Sequence, residues 1–555
     1  MAGEFVAEVE QTREQGTDAA DVPLLFGTVR GTGTVAEALV HAERTARRLP
    51  DVAVTALAPH AGATVLTIRD GLGGVPVRVE VRPLADEPAR TLEPLVPAAP
   101  GWQASVLAPP GESHRARALL DALHHHADVY SEAEADALWR SMPLLRRFAD
   151  DDGTAPFSDW ALIFRDHYVE NSVGFLLAAE RAGVQSRWIY ALAKGDRTAN
   201  RHRVHAWFVH RGYRSAVLDN SVVDGTCSPA EAAAAHRTAT DVDDFIRRAH
   251  RDGRRVLVVD DGGLLAQGTS GRRMVSEPVD AALELTVSGL KRISAAPAVD
   301  LPVFNLARSE VKSVIAYNEI ADSCLRRVRA IVPNQKFVGR RVLVTGYGTL
   351  GARLAQQLRA TGCRVTVVDS DPLMLVQAAE HGFDTRRTVA RALRDTRPFL
   401  IVSSAGEPVL HEDDLGLLPD GLLLAGFATK DFSLLHTGRA GAPAQPVPGL
   451  GVRYGLPNGR HVLMLGDGRS LNLFEYEGIP NRGYDAYRAA TLIAARELCG
   501  NHAAYAPGVH VEPVNEAVRR AGLLDAYYDL YLQDDSSTDP APAGGTAAQR
   551  DGGAA

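Results

Sequence analysis

Lysine is nearly missing from this chain. Of 60 basic residues among 555, only Lys194, Lys291, Lys312, Lys336 and Lys430 are lysines, and the other 55 are arginines. Against so strong a bias, each lysine marks a position to inspect. Cysteine is scarce as well: Cys227, Cys324, Cys363 and Cys499 form neither a CxxC metal pair nor a disulfide framework, which fits a reducing compartment. No apolar run approaches the ~20 residues that a membrane-spanning helix needs. The opening MAGEFVAEVEQ carries acids where a secretory leader would carry bases and then an apolar stretch, so a cytoplasmic chain without a membrane partner is expected. Excess positive charge is also lacking. With 68 acids against 60 bases the formal charge is −8, which favours solubility and argues against a nucleic-acid partner. What remains, 45% hydrophobic and 23% charged, is ordinary globular composition. The length implies about three or four domains.

Residues 1–128 mix short β-rich runs (VPLLFGTV, VAVTAL, VPVRVEVRPL) with AEALVHAERTARRL, where Ala36, Leu39 and Ala42 recur at helical spacing. This reads as a small N-terminal α+β domain of unknown role, ending in Pro- and Gly-rich stretches and a helix around Ala116 to His126. His124, His125 and His126 are consecutive, so on a helix they point in different directions and cannot converge on one ion. No metal site is expected. From 129 to 310, strands alternate with helices through SVGFLLAAERAG, SRWIYALA, HRVHAWFVHRG and RRVLVVDDGG, the pattern of a parallel sheet covered on both faces. A second, clearer α/β unit occupies 311–495. Residues 496–533 read as a helical return segment, with Gly508 to Gln533 helical, and 534–555 have the composition of a disordered tail.

The strongest local signal is RRVLVTGYGTLGARLAQQLRATGCRVTVVDSD. A β-branched strand, Val342 to Thr345, runs into Gly346, Gly348, Thr349, Leu350 and Gly351 and then an amphipathic helix, the context a dinucleotide fingerprint requires. Gly346 permits the tight turn, Gly348 lets backbone approach a diphosphate, and Gly351 lets helix meet strand. The diphosphate would rest on the free N–H groups of the helix N-terminus. A second strand ends at Asp369, whose carboxylate would accept from a ribose diol and repel a 2′-phosphate, so NAD is expected over NADP.

The stretch VFNLARSEVKSVIAYNEIADSCLRRV and the glycine-rich segment after it resemble S-adenosyl-L-homocysteine hydrolase. Further matches are VDDGG at 259–263, ELTVSGL at 284–290, VSSAG at 402–406, GDGRSLNL and GVHVEPVNEAV, with SMPLL and HYVENSVGFLLAAERAG nearer the start. The resemblance covers about residues 130–530. It implies a Rossmann-like NAD-binding domain beside a second, substrate-type α/β domain, with the N-terminal α+β domain added. In that family NAD oxidises the 3′-hydroxyl of a nucleoside, which acidifies the 4′ C–H; elimination of the 5′ thiol, addition of water and re-reduction follow. The resemblance assigns catalysis to Lys312 and Asp261, NAD contacts to Thr286, Ser288, Ser403, Ser404 and Asn472 besides the glycine loop and Asp369, and substrate binding to His167 and Asn171.

The departures are as informative. Ala316 stands where the family has an aspartate and Tyr317 where it has an asparagine; Leu285 replaces a catalytic glutamate, and Ile479 a histidine. A further histidine falls near Thr429. Val169 and Asn171 replace a threonine and a glutamate at the adenosine site, and the C-terminal lysine and tyrosine that reach a neighbouring subunit are missing, which leaves homo-oligomerisation open. Each lost proton-transfer group is typically worth ~10² to 10⁴ in rate. The sequence therefore points to an NAD-dependent enzyme with redox-assisted chemistry on a small molecule, a nucleoside, sugar or thioether other than adenosylhomocysteine. The alternatives are a catalytically degraded NAD-binding regulator or scaffold, and a slow adenosylhomocysteine hydrolase.

Overall fold

The computed structural model describes residues 24–533 except 33, 50–51, 61, 71–75, 85–100, 110–112, 129, 131, 151–154, 195–197, 199–200, 220–221, 223–227, 268–272, 296–298, 429, 437–443, 467–470 and 472–481. Asn472, Ile479, Thr429, Cys227 and the tail 534–555 lie outside the described residues.

In VRVEV, Val77, Val79 and Val81 are buried while Arg78 is exposed, the period-two pattern of a sheet with one face covered. It lies in the middle of a five-stranded antiparallel sheet formed by β1 (Leu24–Thr32), β2 (Val52–His60), β3 (Ala63–Asp70), β4 (Val77–Leu84) and β5 (Gly101–Ala108), in the order β1-β5-β4-β3-β2. The helices Val35–Ala46 and Ser113–Asp128 cover it, and one apolar cluster gathers Val79, Trp102, Ala42 and Leu119 from sheet and helices. The buried face of the first helix is Ala38, Leu39, Ala42 and Ala46; Ala36 is exposed, so the apolar stripe is shifted from the one read in the sequence.

The next sheet is parallel throughout. Its strands are β6 (Trp160–Asp166), β7 (Ile189–Ala193), β8 (Arg214–Val217), β9 (Arg255–Asp260), β10 (Ala281–Glu284) and β11 (Pro302–Asn305), with β20 (Gly508–His510) added late in the chain, in the order β20-β11-β10-β9-β6-β7-β8. WALIFRD, not singled out in the sequence, is thus a central strand, buried along its whole length, and SVGFLLAAER lies in the helix that follows it, Glu170–Arg181. Alternation along β6 sends Ala161 and Ile163 into one core and Leu162 and Phe164 into another, so both faces are covered.

The third sheet joins β12 (Arg341–Thr345), β13 (Arg364–Val368), β14 (Asp384–Arg386), β15 (Leu400–Ser403), β16 (Leu422–Gly426), β17 (Ala444–Val447), β18 (Gly451–Gly455) and β19 (His461–Leu465) in the order β14-β13-β12-β15-β16-β19-β18-β17. Its six parallel strands take the doubly wound order 3-2-1-4-5-6 of a Rossmann fold.

Two readings of the C-terminal part change. Gly508–His510 is a strand and not part of a helix, because Val303 and Phe304 of β11 offer an unpaired edge that Val509 and His510 complete. The helix Arg482–Asn501, which straddles the expected boundary at 495, puts Leu492 and Ala494 into the core of the parallel seven-stranded sheet rather than that of the Rossmann sheet. Asp485 anchors it: its buried carboxylate accepts from the N–H groups of Leu144 and Leu145 (2.9 Å each) and from the Tyr531 hydroxyl (2.7 Å). Asp485→Ala leaves those donors buried without an acceptor. It should lower the unfolding free energy by at least ~1.5 to 3 kcal/mol, measured by urea denaturation, whereas Asp485→Asn, which keeps one acceptor, should lose less.

Candidate functional site

Each doubly wound sheet has a point where strand order reverses, and ligands in such folds bind beyond the carboxyl ends of the strands there. In the Rossmann sheet that point lies between β12 and β15. Gly346 follows β12 with φ +85, a conformation L side chains rarely adopt, and a Cβ on it would meet Ala405 Cα at 2.9 Å. A Cβ on Gly351 would come within 1.8 Å of the Gly346 carbonyl oxygen, so helix and loop touch backbone to backbone. A Cβ on Gly348 would meet nothing within 4 Å. The helix Thr349–Ala360 starts there with no side-chain cap, leaving its first N–H groups to an outside acceptor. Gly348 and Thr349 are exposed, whereas Leu350 packs against the core beneath.

Asp369, at the end of β13, turns one carboxylate oxygen to the Tyr347 N–H (2.6 Å) and the other to the Asp371 N–H (2.8 Å), which fixes it beside the loop. Ser403 ends β15 and Ser404 follows it; the Ser404 and Thr345 hydroxyls are buried without a protein partner. The open space at Gly348, the uncapped helix and these orphaned hydroxyls fit a dinucleotide whose diphosphate lies on the helix and whose ribose lies by Asp369. Asp369→Ala should weaken NAD while sparing NADP, read by titrating each cofactor; unchanged selectivity would contradict the assignment.

In the other sheet the reversal lies between β6 and β9, and a cluster of ionisable groups gathers at the strand ends. Arg165 and Asp260, opposite each other in register, form a buried pair at 2.9 Å. The next residues, Asp166 and Asp261, are where the charge becomes available. Asp166 pairs with Arg488 at 2.7 Å, and Asp261 pairs with Lys194, which follows β7. The Lys194 ammonium also lies 3.3 Å from His167 Nε2. An ammonium can only donate, so Nε2 accepts and the imidazole proton sits on Nδ1. Burial, and then the Lys194 charge, push the His167 pKa down to about 3, so the ring is neutral at physiological pH. Burial works against the Asp261 carboxylate, yet Lys194 and Lys312 hold its pKa below the usual range.

Lys312 lies on a π-helical turn, Lys312–Ala316, a local irregularity often found at functional sites. Its Nζ donates to the Leu285 carbonyl (3.0 Å) and lies 4.1 Å from the centre of the Tyr487 ring and 5.9 Å from that of Tyr317. Burial lowers its pKa to about 8, opposed by Asp261 and Asp166. Arg353, on the glycine-loop helix, donates to the Ser313 carbonyl and, at 2.6 Å, to Asn318 Oδ1, which ties the lysine-bearing segment to that helix.

Lys312, Asp261 and His167 therefore meet in one cluster, and the glycine loop, Asp369, Ser403 and Ser404 in another. The remaining assignments fare differently. The Thr286 hydroxyl caps the helix Val287–Ser294 by accepting from Gly289 N–H and donates to Glu284 Oε1 (2.8 Å), so it is spent on structure; Ser288 is exposed. Asn171 is buried with its oxygen on Arg488 Nε (2.7 Å). Glu284, next to Leu285, accepts from the Gly262 and Gly263 N–H groups at 3.1 Å and orders the VDDGG turn. The sequence reading passed over Asp166, Lys194, Tyr487 and Arg488. Lys194 carried a signal, as one of five lysines, and so did Arg488, a lone charge in the apolar AYRAATLIAA.

Residues 319–477 match the family model for the S-adenosyl-L-homocysteine hydrolase NAD-binding domain. Over 293 residues the chain is 27% identical to the adenosylhomocysteinase of Thermotoga maritima, covering 49% of this chain and 69% of that protein. The corresponding figures are 26%, 44% and 61% for the adenosylhomocysteinase of Thermoplasma acidophilum, and 26%, 51% and 67% for that of a Nostoc species. Among solved structures, the dipicolinate synthase A chain of Bacillus subtilis superposes with a TM-score of 0.32 at 13% identity, covering 62% of this chain and 96% of that one, a likeness too slight to bear on function. No helix among the described residues is long and apolar enough to cross a membrane. With the matched domain, the glycine loop and the Rossmann strand order in agreement, residues 319–477 form an NAD-binding domain of the S-adenosyl-L-homocysteine hydrolase type, and NAD is the cofactor.

Proposed function

We propose that this protein is an enzyme that oxidises a hydroxyl of a small sugar-bearing substrate, a nucleoside or related compound other than adenosylhomocysteine, with Lys312 as the base. The observation that carries this reading is the setting of Lys312: buried and bonded to the Leu285 carbonyl rather than to a carboxylate, a burial that lowers its pKa to about 8. A lysine held so is a neutral amine part of the time at working pH, which is what a base for a hydroxyl proton must be. NAD, held by Gly346, Gly348, Gly351 and Asp369, supplies a hydride acceptor when bound. Lys312 Nζ takes the hydroxyl proton, and Asp261, kept ionised, stabilises the ammonium that results. His167, locked neutral with Nε2 as acceptor, has no proton to give there.

Leu285 and Ala316, both buried and apolar, stand where the family keeps acids, which supports the view that the later proton transfers of adenosylhomocysteine hydrolysis are slow here. The same two residues favour a second reading, an NAD-holding regulator without turnover. Absorption of the purified protein separates the two: on adding nucleosides, growth of the NADH band supports the enzyme, and a spectrum that never changes supports the regulator.

A further inference from the structure

Lys194 has no counterpart among the residues that the resemblance assigns, yet it lies at the centre of the ionisable cluster. One donor atom from each of Asp166, His167 and Asp261 falls within 4.8 Å of the others, and the Lys194 ammonium bonds two of those three side chains. It therefore occupies the seat a cation would take. An ammonium has three N–H donors, and among the described residues only His167 and Asp261 accept from this one. Its side chain keeps 14% exposure, so the third donor is open to a ligand.

Arg488 adds a second unspent donor. Its Nε serves Asn171 and its Nη2 serves Asp166, but Nη1 is buried with no partner. A buried guanidinium nitrogen without an acceptor marks a place where a further acceptor belongs. The cations around His167 are Lys194, Arg488 and Lys312, and the carboxylates are Asp166 and Asp261; Glu284, the next carboxylate, faces Lys312 and is pushed toward its neutral form by burial, so cations are in excess whenever Lys312 is protonated. A purine edge or a thioether would give these donors only a weak acceptor, whereas an anionic oxygen accepts from an ammonium strongly and balances the charge.

We propose that Lys194 is the substrate-recognition cation of this pocket, and that the group it receives carries anionic oxygen, a carboxylate or a phosphate. Asp261 keeps the ammonium in place before the ligand arrives, so little reorganisation is needed on binding. This inference rests on the cluster being the substrate pocket of the proposed enzyme.

The test is calorimetric titration of the full-length, NAD-loaded protein with adenosine, adenosine 5′-carboxylate and adenosine 5′-monophosphate, repeated on Lys194→Gln and Lys194→Arg. At least one anionic nucleoside should bind ten times or more tighter than adenosine, and whichever is favoured identifies carboxylate or phosphate. Lys194→Gln should reduce that preference to about twofold or less, and Lys194→Arg should retain part of it. Equal affinity for adenosine and both anions, or a preference that survives Lys194→Gln, would overturn the proposal. Inorganic phosphate and acetate, titrated alone, report on the pocket if no nucleoside binds: heat that disappears in Lys194→Gln supports the anion site, and no heat with either removes it. The two readings fail separately. An anion site that never reduces NAD removes only the redox reading, and NADH formation without anion preference removes only this one.

Discussion

Replacing Lys312 with methionine is expected to slow NADH formation by ~10² to 10⁴-fold while leaving NAD in place. Lys312 touches none of the glycine-loop residues; its Nζ contacts are the Leu285 carbonyl and the rings of Tyr487 and Tyr317. Methionine keeps much of the buried stem and removes the proton acceptor. Arginine is the sharper probe, because its guanidinium stays protonated: if Lys312 served only as a charge, Lys312→Arg would work, and if it is a base, Lys312→Arg should be as slow as methionine. The pH dependence follows from the same cause. Burial brings the lysine to about 8, so the rate should rise with pH through that value in the native protein and lose that rise in both variants. Stability carries a linked signature. Between about pH 8 and the ordinary lysine range the unfolded chain holds a proton that the folded chain has released, so this group makes the fold more stable as pH rises through that window and least favourable below it.

The second large effect is expected at the glycines, where two substitutions of equal size should fail for different reasons. Gly351→Ala places a methyl group 1.8 Å from the Gly346 carbonyl oxygen and 2.9 Å from Ser404 Oγ, so the helix must move off the loop. Overpacking of this kind typically costs ~1 to 3 kcal/mol and sometimes more; the cofactor-free protein should unfold earlier in urea, and NAD should no longer copurify. Gly348→Ala meets nothing within 4 Å, so its fold should match the parent in urea, but the added methyl stands where a diphosphate must approach the helix. It should lose NAD at unchanged stability. Gly351→Ala protein that holds NAD normally would show that the diphosphate lies elsewhere.

How much of this was legible in the sequence depended on whether the information was local. The glycine loop, its strand and Asp369 form one continuous stretch with fixed spacing, so the turn, the helix and NAD as the cofactor could be read from it. The cluster at the other sheet could not. Asp166, Lys194, Asp261 and Arg488 are far apart in the chain and meet only because β6, β7 and β9 are neighbours and the helix Arg482–Asn501 returns across them. Thr286 shows a competition that spacing alone does not display: a hydroxyl that the resemblance assigns to the cofactor also caps a helix and donates to Glu284. The strand Gly508–His510 was hidden for a related reason, since three residues carry almost no periodicity and the edge of β11 determines their conformation.

The most direct test of the central claim is the absorption of NAD-loaded protein after a single addition of adenosine, inosine or an anionic nucleoside, followed in parallel for the parent and Lys312→Arg. At least one of these should raise the NADH band in the parent, faster as pH passes about 8, and Lys312→Arg, with NAD still bound, should show no rise on the same timescale. An equal rise in both proteins would contradict the role given to Lys312, and a band that stays flat in the parent with every nucleoside would contradict the enzymatic reading.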